Sequence, residues 1–205
     1  MNPATRRTSI AGPAGAIEVA LDGPEAPAGV AVLCHPHPLH GGTMDNKVVQ
    51  TMARAFVQRG WLAVRFNFRG VGASAGAWDE GRGEVDDALA VVAAFRHPAL
   101  PLALGGFSFG GSVAASAAAA TPGAEPLVLI APAVKNFSTP PASQASLVIH
   151  GEADDVVPLA AVLDWARPQS LPVTVIPGAG HFFHGQLPLL KQLIVGNRSR
   201  SEVSR

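Results

Sequence analysis

Gly106-Phe107-Ser108-Phe109-Gly110 sets a serine between glycines, directly after the apolar run Leu102-Ala103-Leu104 and directly before a helix-compatible stretch from Gly111 to Ala120. This context suits a sharp strand-to-helix turn, because flanking glycines let the backbone crowd without Cβ clashes and leave the hydroxyl displayed at the strand's end. The same spacing recurs at Gly72-Ala73-Ser74-Ala75-Gly76. There it stands well past the strand-like run Leu62 to Phe66 and leads into Trp78-Asp79-Glu80-Gly81, with no apolar helix behind it. Ser108 is therefore the candidate nucleophile and Ser74 a loop residue.

A serine hydroxyl attacks a carbonyl only with a base in hydrogen-bond reach and a third group holding that base in the right tautomer. Both partners follow in the chain. Past Leu147-Val148-Ile149 comes the polar stretch His150-Gly151-Glu152-Ala153-Asp154-Asp155-Val156-Val157-Pro158, placed where ligand sites form beyond a strand's carboxyl end. Asp154 is the candidate carboxylate and Asp155 its competitor, since either could instead cap the helix that Pro158 starts. Past Val173-Thr174-Val175-Ile176, the turn Pro177-Gly178-Ala179-Gly180 delivers His181, the candidate base, with His184 as the alternative.

The histidine-rich segment Cys34-His35-Pro36-His37-Pro38-Leu39-His40-Gly41-Gly42 follows the apolar run Val30 to Leu33 and admits two readings. Three close histidines could ligate a metal for a metal-dependent hydrolase, but Leu39 stands where the His-x-His-x-Asp-His pattern needs aspartate. The other reading uses the backbone. A tetrahedral intermediate needs two N–H donors on its oxyanion, one from the residue after the nucleophile, Phe109, and one from an early loop. Pro36 and Pro38 carry no N–H, so His37 is the expected second donor, with His35 and His40 pinning the loop. Gly70-Val71-Gly72-Ala73-Ser74-Ala75 matches a relaxed dinucleotide fingerprint but lacks its helix and acidic residue. Neither metal nor cofactor is expected.

To position these groups the chain offers strand-like runs centred on Ile17, Val32, Val64, Ala103, Leu129, Val148 and Val175. Helical spacing appears over Asp45–Arg59, Gly83–Arg96, Phe109–Ala120, Leu159–Arg167 and Gly185–Val195, with Asp45 placed to cap the first of these helices. Alternation of this kind predicts an α/β fold, a mostly parallel sheet with helices on both faces. Residues 1–14 read as a flexible leader, 15–196 as one domain and 197–205 as a frayed tail.

Over 205 residues, 15 basic side chains balance 15 acidic ones, so no global field attracts nucleic acid or an anionic membrane. A single cysteine, Cys34, allows no intrachain disulfide, and no apolar run is long enough to span a bilayer. Arg6-Arg7 could suggest a twin-arginine signal, but Pro13, Glu18 and Asp22 interrupt the apolar stretch that must follow. A cytoplasmic protein acting on a small-molecule ester is expected.

The run His35 to Val49, Asn67-Phe68-Arg69-Gly70-Val71-Gly72, the Ser108 turn, His150-Gly151 through Asp154 to Pro158, and Gly180-His181 together resemble the small cap-less bacterial α/β-hydrolases, distantly similar to dienelactone hydrolases. The resemblance implies the α/β-hydrolase fold with no substantial lid, Ser108, Asp154 and His181 as a catalytic triad, and an oxyanion loop. Dienelactone hydrolase itself carries cysteine at the turn where this chain has Ser108. The resulting expectation is a carboxylesterase-like serine hydrolase cleaving small or short-chain esters or thioesters through an acyl-enzyme, with Phe107, Phe137, Phe182 and Phe183 as pocket walls. The alternative is a catalytically silent scaffold of the same fold, binding a small molecule or partner.

Overall fold

The computed structural model describes residues 5–197. Eight strands, β1 (Arg6–Gly12), β2 (Gly15–Asp22), β3 (Val30–Cys34), β4 (Leu62–Phe66), β5 (Leu102–Phe107), β6 (Ala124–Ile130), β7 (Leu147–Gly151) and β8 (Val173–Ile176), form one sheet in the order β1-β2-β4-β3-β5-β6-β7-β8. From β4 to β8 every pairing is parallel, while the β1–β2 hairpin joins the edge antiparallel. All seven strand centres expected from the sequence fall inside strands.

Helices α1 (Lys47–Gln58) and α5 (Leu187–Gly196) cover one face; α2 (Arg82–Phe95), α3 (Phe109–Ala119) and α4 (Leu159–Ala166) cover the other. Burial on both faces explains why the central strands are apolar throughout rather than alternating. In β3, Val30, Val32 and Cys34 pack toward α2 and α3, while Ala31 and Leu33 pack toward α1. Cys34 is fully buried, and that burial pushes its thiol pKa up, so it takes no part in chemistry at neutral pH.

Two expectations need correction. The leader assigned to residues 1–14 is not loose over Arg6–Gly12, which pairs residue by residue with Gly15–Leu21. Arg7 further ties this strand to Glu18 at 3.1 Å and Asp45 at 2.7 Å. The cap of α1 is Asn46, whose side chain accepts the Val48 N–H at 2.9 Å, because Asp45 is turned toward Arg7 and Arg65 instead. Positions 198–205 of the expected tail lie outside the described residues. Among the described residues no helix is long and apolar enough to cross a membrane.

Between β6 and β7 the chain runs through Pro132 to Ser146 without helix or strand. Nothing in that stretch forms a cap domain over the carboxyl ends of the strands.

Candidate active site

β5 ends at Phe107 and α3 begins at Phe109, leaving Ser108 alone on the turn with φ 56° and ψ −120°. A residue with a Cβ adopts such angles only under strain, on the order of 1–3 kcal/mol, and needs its surroundings to hold it. Here the Ser108 N–H donates to the Ile130 carbonyl at 2.9 Å, and its own carbonyl accepts from Gly111 and Ala133 at 2.9 and 3.1 Å. Both flanking glycines are required by close approach. A Cβ on Gly106 would stand 2.0 Å from the Gly110 oxygen, and one on Gly110 would stand 2.4 Å from the His35 oxygen. The second contact seats the turn directly against the histidine-rich loop.

Neighbouring strands β7 and β8 deliver the other two groups from their carboxyl ends. The buried His181 donates Nδ1–H to Asp154 Oδ2 at 2.7 Å. Asp154 Oδ1 meanwhile accepts the N–H groups of Val156 at 3.0 Å and Val157 at 2.8 Å. One carboxylate oxygen thus holds the turn ahead of α4 while the other orients His181; α4 itself is capped by Pro158 with no side-chain bond, so neither Asp154 nor Asp155 caps that helix. Burial pulls the Asp154 pKa upward, but the bonds from His181, Val157 and Val156 outweigh it and hold the carboxyl below its usual range. Asp155 and His184 are exposed, and the pair that the fold brings together is Asp154 with His181.

His181 lies against the serine turn, its ring 4.8 Å from that of Phe107, the residue before Ser108. The Ser108 hydroxyl makes no hydrogen bond among the described residues, and serine–histidine bonds of this kind commonly tighten only when substrate is bound. Phe109 is the first residue of α3, so its N–H has no acceptor within the helix and is available to an oxyanion.

The loop carrying His37 is tightly built. His37 accepts the Leu39 N–H on Nδ1 at 3.2 Å, and its carbonyl accepts from His40 and Gly42 at 3.1 and 3.0 Å. Its ring packs 4.4 Å from Trp78 and 5.3 Å from Phe109, bringing the loop against the turn. His35 anchors the whole. Buried, it accepts the Phe68 N–H on Nε2 at 3.0 Å and donates Nδ1–H to the Pro36 carbonyl at 2.6 Å. Burial lowers its pKa to about 4 against the opposing Pro36 bond, so it is neutral. With both ring nitrogens engaged, His35 has no lone pair for a metal, which removes it from the metal-ligand reading. Among the described residues no group of three or more His, Cys, Asp or Glu is placed to hold an ion. The expected pinning role is met by His35; exposed His40 only stacks on His37 at 4.4 Å.

Asn67-Phe68-Arg69, after β4, braces this loop from behind. Asn67 accepts the Met44 N–H at 2.9 Å, and Arg69 forms a part-buried pair with Asp87 of α2 at 2.9 Å. Ser74, from the second glycine-flanked serine, bonds the Asn67 carbonyl and the Glu18 N–H at 2.7 and 2.9 Å, a purely structural role.

Beside Phe109 a cleft of about 400 Å³ opens between α2, α3 and the segment after β6, lined by Val85, Phe109, Ser112, Val113, Phe137 and Pro140 among others. Of the expected walls, Phe137 borders this cleft, and Phe182 stands 45% exposed beside His181. Phe107 and Phe183 do not: both are fully buried in the core on the α1/α5 face, where Phe107 backs His181. Trp78 and Val85 were not legible as site residues, since neither belongs to a motif; only the sequence proximity of Trp78 to Gly81 and α2 hinted at a place near the cleft.

A strand-to-helix serine, a buried histidine–aspartate pair on the loops after β7 and β8 and a lidless, mostly parallel sheet define an α/β serine hydrolase. Residues 27–146 match the hydrolase family described as serine aminopeptidase, S33, and the chain belongs to that family. It is similar to an α/β serine hydrolase homologue from Coxiella burnetii, with 41% identity, TM-score 0.87 and coverage of 95% of this chain and 97% of that one. It is also similar to a serine hydrolase without lid from Xanthomonas campestris, at 40% identity, TM-score 0.85 and coverage of 96% and 94%. An uncharacterised protein of Rickettsia prowazekii is 34% identical over 84% of this chain and 79% of its own length.

Proposed function

We propose that the protein cleaves small or short-chain carboxylic esters or thioesters through an acyl-enzyme on Ser108. The observation that carries this reading is the buried 2.7 Å bond from His181 to Asp154 beside the serine turn. That bond puts the proton on Nδ1 and leaves Nε2 to act as base.

Ser108 Oγ attacks the carbonyl carbon while His181 Nε2 takes its proton, and the N–H groups of Phe109 and His37 receive the oxyanion. Collapse expels the alcohol or thiol, which takes the proton from His181. Water, deprotonated by the same nitrogen, then attacks the acyl-enzyme, and collapse releases the acid while Ser108 Oγ takes the proton back from His181. Asp154 remains ionised throughout and stabilises the imidazolium. The preference for short acyl groups is supported by the segment between β6 and β7, which forms no cap that could enclose a long chain.

Intact-mass analysis after treatment with a fluorophosphonate tests the nucleophile. One adduct on the wild type and none on Ser108→Ala is expected, followed by faster turnover of acetyl and butyryl than of hexadecanoyl p-nitrophenyl esters. No adduct on the folded wild type would leave the silent-scaffold reading in its place.

A further inference from the structure

A second imidazole stands beside Asp154 Oδ2. His150, fully buried at the end of β7, sets Nε2 2.9 Å from the Val157 carbonyl and 3.4 Å from Asp154 Oδ2. A carbonyl only accepts, so Nε2 bears the proton and Nδ1 is the bare nitrogen. Nδ1 is buried and has no hydrogen-bond partner among the described residues. Protonating it would place a cation and an unmet donor in the interior, so the ring stays neutral. Val157 closes the loop, donating its N–H to Asp154 Oδ1 at 2.8 Å while its carbonyl accepts from His150.

We propose that His150 is a positioning residue for the Asp154–His181 pair: its Nε2–H holds the Val157 carbonyl, the Val157 N–H in turn holds Asp154 Oδ1, and the ring stands 3.4 Å behind Oδ2, so that the carboxylate stays aligned with Nδ1–H of His181. The inference rests on the proposed function of the site. A packing role alone is poorly served by histidine here, because an apolar side chain of similar volume would leave no buried lone pair unmet. The neutral state also matters. A lysine or arginine at this place would draw the carboxylate's charge away from His181, whereas a neutral ring beside it leaves that charge to the imidazolium. The ionisable groups facing His150 are Asp154 and, across it, His181. The two backbone donors on Asp154 reach only Oδ1 and come from the turn at Val156, which is 54% exposed, so the buried bond from His150 to Val157 is what steadies that turn.

The test compares His150→Leu with His150→Gln, whose amide can put an N–H near the lost Nε2–H, in ester kinetics, fluorophosphonate labelling rate and pH profile. For His150→Leu, kcat/KM should fall about tenfold or more with KM nearly unchanged, the scale on which partners of a working histidine act. Its acid limb should move to lower pH, because a carboxylate no longer held in line stabilises the imidazolium of His181 less. His150→Gln should recover most of the rate and the position of the limb. Unchanged labelling and an unmoved limb in folded His150→Leu would overturn the proposal while leaving the serine hydrolase reading intact; a wild type that takes no label would remove that reading first. Independent of any variant, assigned ¹⁵N imidazole spectra of the wild type should show His150 neutral and protonated on Nε2 through the pH range of the acid limb. A proton on Nδ1, or titration within that range, would overturn the proposal.

Discussion

His181 and Asp154, 27 residues apart, meet at 2.7 Å because the adjacent parallel strands β7 and β8 both release their loops at the same edge of the sheet. The pair is buried, and the carboxylate also holds two backbone N–H groups, so its geometry is set before any substrate arrives. Asp154→Asn keeps the shape but can present its NH₂ to Nδ1, favouring the tautomer in which Nε2 is already protonated and cannot act as base. Steady-state ester kinetics should show kcat reduced about 10³–10⁴-fold with little change in KM. A loss confined to KM would mean that Asp154 contacts substrate instead of holding the base.

Acid should weaken the fold in two stages. His35 is neutral in the folded protein with its pKa lowered to about 4 from an ordinary 6.5, chiefly by burial. Between those values the unfolded chain binds a proton that the folded chain refuses, so stability falls as pH drops through this window, by roughly 3 kcal/mol in total. Asp154 acts lower down: its depressed pKa contributes stability that is fully present above the ordinary carboxylate range and is lost as pH falls through the folded value. Urea titrations from pH 7 to pH 4.5 should show this decline, and His35→Phe should flatten it. The same variant should be less stable at pH 7 by about 1–3 kcal/mol, because the Phe68 N–H loses its acceptor.

What the sequence disclosed and what it hid divide along a physical line. The placement of Ser108, Asp154 and His181 just past strand ends was legible because the apolar runs mark those ends. The core strands were legible because burial on both faces makes them continuously apolar. Strand β1 was not: Arg6, Arg7, Thr8 and Ser9 are all exposed, and only Ile10 packs on the core, so backbone pairing with β2 leaves no hydrophobic period to read. Phe107 and Phe183 misled for the opposite reason. An aromatic next to a reactive residue reads equally as wall or core, and only the direction of its side chain separates the two. His150, in a motif segment ahead of Asp154, gave no sign of touching it, because the contact depends on the turn folding back over β7.

The strain at Ser108 can be measured by reversing a familiar order. At an ordinary position glycine is less favourable than alanine, since it loses more backbone freedom on folding. At φ 56° and ψ −120° the Cβ is the liability, and its steric cost persists in Ser108→Ala although the hydroxyl is gone. Ser108→Gly removes it. Both variants should be inactive, but Ser108→Gly should be the more stable by about 1–2 kcal/mol, the remainder after glycine's entropic penalty is set against relief of the strain. Paired urea titrations decide the matter. Alanine proving the more stable would mean that the turn relaxes once the hydroxyl is removed, and that the wild-type conformation is held by the serine side chain and not imposed by the bonds from Ile130, Gly111 and Ala133.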